Sequence, residues 1–198
     1  MISQSSLNAS LLAEFSSVGF TGSEVPTLCT ALSTGIANHL IGKTFTTNDI
    51  GTIGVGSGVG SGIGITVNAT TISNMIFDSL EGKGFEGSKL RDMSDAIGNA
   101  CSSELALATL TSNHSIVILG SGTVVCSSIP LSSSTMASLI IANAPSFQGD
   151  KFVDLANGVS EGLTDSILNN GTANVTITLV PGSIPISPGS GTGTGIIT

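Results

Sequence analysis

Three segments of the chain open with the same Phe-x-Gly triplet and continue with the same spacing of apolar residues. The triplets begin at Phe20, Phe85 and Phe147. Counted from each phenylalanine, large apolar residues occupy positions +5, +8, +12, +16 and +20, which is the spacing of one face of an α-helix. They are Val25, Leu28, Leu32, Ile36 and Leu40 in the first segment, Leu90, Met93, Ile97, Cys101 and Leu105 in the second, and Phe152, Leu155, Val159, Leu163 and Ile167 in the third. This pattern constrains the chain to fold as three similar units.

A second row on the same helices contains only small residues, at positions +11 and +15. Its members are Ala31 and Gly35, Ala96 and Ala100, and Gly158 and Gly162. Small side chains let a neighbouring helix come close, so the row predicts contact with another backbone.

Each repeat extends on both sides of this helix. A shorter apolar stretch before the phenylalanine predicts a first helix, over residues 7–15, 72–80 and 135–142. Asn8, Ser73 and either Ser133 or Ser134 are candidate N-caps for these helices. After the second helix, a β-like segment, a Gly/Ser turn and a second short β-like segment follow. The first β-like segments are 50–55, 115–119 and 174–180, and the second are 63–66, 129–132 and 184–187. Proline in two of the second segments favours a sheet edge or a bulge.

The fold class expected from this pattern is α+β, with three tandem helix-turn-helix plus β-hairpin repeats arranged with pseudo-threefold symmetry. The repeats would span 1–67, 68–132 and 133–198. Each would be marginally stable alone, so we expect a single domain over 1–198. Phe20, Phe85 and Phe147 are expected to be equivalent core anchors at the inter-helix turns.

The composition excludes several classes of partner. The net charge is −8, and the chain has five Lys and Arg residues, too few to neutralise many phosphates. We therefore expect no nucleic-acid partner and no binding to an anionic membrane surface. No apolar run reaches the ~18 residues of a spanning helix, and residues 1–6 lack the features of a secretory signal. These features predict a soluble protein made in the cytoplasm.

Nearly all charged residues lie on or beside the predicted helices, and almost none lie on the β-like segments. Residues 50–77, 106–149 and 166–198 contain no Asp, Glu, Lys or Arg. Uncharged strands would present unprotected edges, which predicts that other subunits cover them. The alternative is that Ser, Thr and Gly alone keep these surfaces soluble.

Two runs of alternating glycine, over 54–64 and 189–195, lie in these uncharged parts. They lack the spacing of a dinucleotide fingerprint or a P-loop. Such runs form a strand with one bare face or a flexible arm. For the run after Pro188 we expect an arm that becomes ordered only against a neighbouring subunit.

The sequence offers little for catalysis. His39 and His114 occupy unrelated positions in their repeats, and the three cysteines include no Cys-x-x-Cys pair. Cys29 and Cys101 are interpreted as small buried hydrophobic residues. Asp92, Asp95 and Asp154 lie on the exposed side of their helices, where a catalytic pair of carboxylates is a remote alternative. We therefore predict no enzymatic activity, no catalytic, cofactor-binding or metal-binding residues, and no cofactor.

The chain resembles small virion structural proteins of tailed bacteriophages in three features. These are the Gly-Phe-x-Gly start of the repeat, the Ala-Leu-Ser-Thr-Gly-Ile pattern at 31–36 and the uncharged Gly/Ser/Thr tail. The resemblance covers all three repeats, although the third has Ala144-Pro145-Ser146 before its phenylalanine. It implies a non-enzymatic role in capsid decoration, neck or tail assembly. The implied partners are other virion proteins and copies of the chain in a symmetric assembly, with the chain made in the host cytoplasm and located in the virion. The alternative is a surface-displayed binding or adhesion module for host recognition.

Overall fold

The structure is a computed structural model that describes residues 3–41, 43–52, 58–63, 65–107, 109–114, 121–125, 131–170, 172–180 and 188–197. Within these ranges the chain forms six helices and six strands. The helices are α1 (Gln4–Ser17), α2 (Val25–Leu40), α3 (Ala69–Glu81), α4 (Leu90–Leu107), α5 (Ser133–Asn143) and α6 (Asp150–Asn170). The strands are β1 (Thr44–Thr52), β2 (Gly58–Ile63), β3 (Thr109–His114), β4 (Ser121–Val125), β5 (Thr172–Val180) and β6 (Pro188–Ile197).

Equivalent polar residues begin the first helix of each repeat. Ser3, Asn68 and Ser132 accept a hydrogen bond from the backbone N–H three residues later, which satisfies one of the free donors of the first turn. The N-caps predicted from the sequence were therefore wrong. Asn8 and Ser73 lie inside α1 and α3, because the helices begin before their apolar stretches do.

The helices form a closed ring. Each helix packs against the helices before and after it in the chain, and α1 packs against α6. The first helix of each repeat contributes one narrow stripe of buried residues spaced four apart. The stripes are Leu7, Leu11 and Phe15, then Ile72, Ile76 and Leu80, then Met136 and Ile140 with Ala144 just beyond α5. The second helices are longer, and their buried faces are wider, so the core is continuous around the ring.

The row of small residues provides the predicted close approach between helices. A Cβ atom built on Gly35 of α2 would lie 2.7 Å from the Ile76 Cα of α3, and one on Gly162 of α6 would lie 2.9 Å from the Leu11 Cα of α1. These distances leave no room for a methyl group, so the prediction is confirmed at both positions.

The three repeat phenylalanines are not core residues. Phe20, Phe85 and Phe147 are partly buried and pack against the edge of the core. Phe15 is instead fully buried, and its ring lies 5.1 Å from that of Phe20. The expectation of equivalent core anchors was therefore wrong, because the buried positions belong to the stripes of the first helices.

In the described residues the strands form one antiparallel sheet in the order β3-β2-β1-β6-β5-β4. β3 and β4, at the two ends of this order, also lie next to each other, which brings the two edges of the sheet together. The register places Gly58, Gly60 and Gly62 of β2 on the same face as Gly189, Gly191, Gly193 and Gly195 of β6. Positions on the opposite face are mostly Thr, Ser and Asn, for example Asn48, Thr178 and Thr192, which lie side by side.

The predicted α+β fold class is contradicted. The structure describes side-chain packing for residues 3–41, 65–107 and 131–167. These parts of the chain form an all-helical fold, and their core is that of a helical ring. No described helix packs along a strand. The strands also do not form three local hairpins. β2 pairs with β3 of the next repeat, and the described residues give no hydrogen-bonded register between β3 and β4. The single domain over 1–198 with its three repeat boundaries stays a prediction.

The glycine-rich C-terminal segment is an integral strand. β6 pairs with β1 on one side and with β5 on the other, along nearly its whole length. The expectation of a free arm was wrong, because alternating glycine also allows close strand pairing and the sequence alone could not identify the two partners. The predicted β-like segments 115–119 and 184–187, and the first two residues of 129–132, lie outside the described residues. Residues 131–132 and residues 65–66 of the predicted segment 63–66 are not in a strand.

Candidate functional site

The candidate site is the end of the helical ring formed by the three inter-helix turns, residues 18–24, 82–89 and 144–149, which we call the turn end. Because α2, α4 and α6 each lead towards a strand, the turn end lies away from the sheet. Contacts between successive turns define three seams, one for each pair of repeats.

The first two turns have the same backbone geometry. The N–H of Phe20 donates to the Phe15 carbonyl at 2.8 Å, and the N–H of Phe85 donates to the Leu80 carbonyl at 3.1 Å. The glycines before them, Gly19 and Gly84, have φ values of 74° and 86°. These are the features of a Schellman helix end, which needs a left-handed residue that glycine adopts without strain. In the third turn, Phe147 donates instead to Ala144 at 3.0 Å, so Pro145 accompanies a different turn.

A lysine closes the seam between the second and third repeats. Lys89 donates to the Ser146 carbonyl, and its Nζ lies 5.3 Å from the centre of the Phe147 ring. The Ser146 hydroxyl donates to Asp92 at 2.8 Å. The ammonium group therefore meets a carbonyl oxygen and an aromatic face, both of which attract a cation.

A lysine also closes the seam between the third and first repeats. Lys151 donates to the Gly19 carbonyl at 3.2 Å and lies 3.3 Å from the Asp154 carboxylate. Gly19 belongs to the C-terminal end of α1, where free carbonyls favour a positive charge.

The seam between the first and second repeats has no lysine at the corresponding position. Glu24 stands there, four residues after Phe20, just as Lys89 follows Phe85 and Lys151 follows Phe147. The Glu24 side chain makes no capping hydrogen bond to α2, and none of the described ion pairs involves it. Beside it lies an open pocket of about 320 Å³, lined by Phe20, Val25, Leu28, Phe85 and residues 21–24.

No residue was predicted from the sequence to act in catalysis or in metal or cofactor binding, and the residues considered as alternatives for such roles lie apart. Asp95 pairs with Arg91 at 3.1 Å, whereas Asp92 and Asp154 join the seams described above. Cys29 and Cys101 are buried, and desolvation raises their pKa values to about 11 and about 12, so both are thiols. The side chain of His114 lies outside the described residues. In the part of the chain that the structure describes, no three His, Cys, Asp or Glu residues are grouped as metal ligands.

His39 is buried near the C-terminal end of α2. Burial, and to a smaller extent the charge of Lys43, lowers its pKa from 6.5. Its Nε2 atom has no hydrogen-bond partner among the described residues. This environment favours the neutral imidazole.

The seam residues were not predicted from the sequence, although an alignment of the three repeats at position +4 would have shown them. At this position the first repeat has the negatively charged Glu24, whereas the second and third repeats have the positively charged Lys89 and Lys151. The apolar row and the small row of each second helix do not include position +4. This polar position, which contacts the next repeat, therefore has no periodic signal of its own.

The chain matches no family model, no curated protein and no solved structure. Among the described helices, none combines the length and the apolar character that a bilayer-spanning segment requires.

Proposed function

We propose that this protein is a non-enzymatic structural component of a tailed-phage particle, in the capsid, neck or tail, and that it binds neighbouring virion proteins or further copies of itself. The observation that carries the proposal is the charge-free face of the sheet. No described helix packs along the strands. On the face opposite the glycines, none of the strand positions is a charged residue.

The topology favours one way of docking. The two edges of the sheet lie together, so adding a strand from another subunit would require opening the sheet. The glycine face also includes the apolar positions Phe45, Ile177 and Leu179, so it suits the concave side of a curled sheet, which is the more enclosed side. This leaves the face of Thr, Ser and Asn for contact with another protein. Asp49, the one charged residue in the described strands, lies on the glycine face.

The helical ring would serve as the outward part of the subunit. The charged residues of the chain lie mostly on the helices and their turns. A net charge of −8 opposes self-association through the helices and favours either solvent or a basic partner.

The first test is whether the chain is part of the particle. Mass spectrometry and immunogold labelling of purified phage particles encoding this chain should find it in a fixed copy number at one site. Its absence from purified particles would overturn the proposal.

The second test is a charge placed on the proposed docking face. Thr192→Lys should leave the helical circular-dichroism signal unchanged but prevent incorporation when the variant is the only copy supplied. Ser103→Lys, at an exposed position on α4, is the matched control and should be incorporated normally. Normal incorporation of Thr192→Lys would show that this face is not the docking surface.

A further inference from the structure

At the fourth residue after the repeat phenylalanine, two seams of the turn end have a lysine and the third has a glutamate. Lys89 and Lys151 each extend from the start of a second helix to a carbonyl of the next turn. Glu24 occupies the third equivalent position, beside the pocket and Phe85. We propose that this pocket binds a lysine side chain of a partner protein, which takes the place of the missing internal lysine.

The chemistry of the occupied seams specifies the occupant. Lys89 lies over Phe147 and donates to a backbone carbonyl. The open pocket has the corresponding ring, Phe85, and adds the carboxylate of Glu24. A lysine can place its four-carbon stem against apolar side chains such as Val25 and Leu28 while its ammonium group meets the carboxylate.

Local electrostatics favour a cation. The pocket adjoins the turn after α3, where a helix C-terminal end carries partial negative charge, and Glu24 adds a full negative charge. Lys83 lies in the same turn, but none of the described ion pairs joins it to Glu24. An external ammonium group would therefore meet a carboxylate that none of the described ion pairs neutralises.

The charge of the chain argues for a different protein as the source of the lysine. Two copies that each carry a net charge of −8 repel one another, and most of that charge lies on the helices and their turns. A basic segment on a partner protein meets no such repulsion.

The binding test uses N-acetyl-lysine amide as the probe, titrated into the ¹⁵N-labelled full chain and followed by NMR. We expect saturable shifts confined to residues 20–25 and the turn around Phe85, reduced by added salt. N-acetyl-norleucine amide, which has a similar apolar stem and no charge, should cause none of these shifts. Equal shifts with both probes, or shifts spread over all acidic helices, would overturn the proposal.

Two variants test the role of Glu24. Glu24→Gln should lose the lysine-dependent shifts while keeping the fold. Glu24→Lys should lose them too and should raise Tm above that of Glu24→Gln, because the new side chain fills the seam as Lys89 and Lys151 do. Shifts that persist in both variants would contradict the proposal. So would light scattering that shows a dimer of the parent chain and a monomer of Glu24→Lys, since the occupant would then be a second copy.

Discussion

At Gly35, a single hydrogen atom decides how closely α2 approaches α3. The position is inside a helix, where alanine would normally be favoured by about 1 kcal/mol. A Cβ atom there would lie 2.7 Å from the Ile76 Cα and 2.8 Å from the Met75 carbonyl. These are backbone atoms, so a rotamer change cannot relieve the overlap.

We expect Gly35→Ala to destabilise the protein by about 1–3 kcal/mol despite its better helix propensity, because the helices must separate. Asn38→Ala, on the exposed face of the same helix, is the control and should be neutral or slightly stabilising. Urea unfolding measures both. Stabilisation by Gly35→Ala would mean that α2 and α3 do not pack this closely.

His39 makes stability depend on pH. Its pKa is lowered from 6.5 in the folded protein, mainly by burial and secondarily by Lys43. As pH falls below the unfolded value, the unfolded chain binds a proton before the folded chain does. The free energy of unfolding therefore decreases with falling pH through this range, and the stability present above pH 6.5 is lost as pH approaches the folded pKa.

His39→Gln should remove part of this dependence. We expect the free energy of unfolding of the parent chain to fall more steeply than that of the variant between about pH 7 and about pH 5. Urea unfolding at several pH values gives the two slopes. Parallel slopes would indicate that His39 is protonated equally in both states.

Among the elements, β6 is central to the sheet, although its glycine-rich composition does not predict this position. It is the strand that joins β1 to β5. Without it, the order β3-β2-β1-β6-β5-β4 separates into a three-stranded part and a two-stranded part. The helical ring has its own core and does not depend on these pairings.

We expect deletion of residues 188–198 to expose β1 and β5 while leaving the helices folded. Hydrogen exchange should show loss of amide protection over residues 44–52 and 172–180, with protection kept in α2, α4 and α6. A matched chain with Ser190 and Thr192 changed to Val keeps β6 and should retain protection in both strands. Unchanged protection after the deletion would contradict the pairing of β6.

At the scale of the whole molecule, one continuous core predicts one unfolding transition for the three repeats. Leu11, Ile76 and Ile140 are fully buried at equivalent positions of α1, α3 and α5. Each change to alanine should cost about 2–5 kcal/mol and lower the Tm of the same transition. Val153→Ala, at a side chain that is 40% exposed, should change it little. Separate transitions, each sensitive to one variant, would show that the repeats fold independently.

The helices were the most predictable part of the fold. The apolar rows that follow Phe20, Phe85 and Phe147 lie on α2, α4 and α6, because each row arises from neighbours in the chain. The small residues at Gly35 and Gly162 correctly indicated close contact. The candidate site was less predictable, because the pocket beside Glu24 is formed only when the turn of the next repeat lies next to it.

The spacing of side chains along the chain was enough to predict the three successive pairs of helices, their buried faces and the concentration of charge on the helices, since these depend on local periodicity and composition. The partners of each element were not accessible in this way. Three features depend on contacts between residues that are distant in sequence. These are the packing of α1 against α6, the position of β6 between β1 and β5, and the absence of helices packed along the strands among the described residues. Backbone hydrogen bonding and the burial of apolar surface together determine those contacts. A run of alternating glycines has no local sequence pattern that identifies its pairing partners.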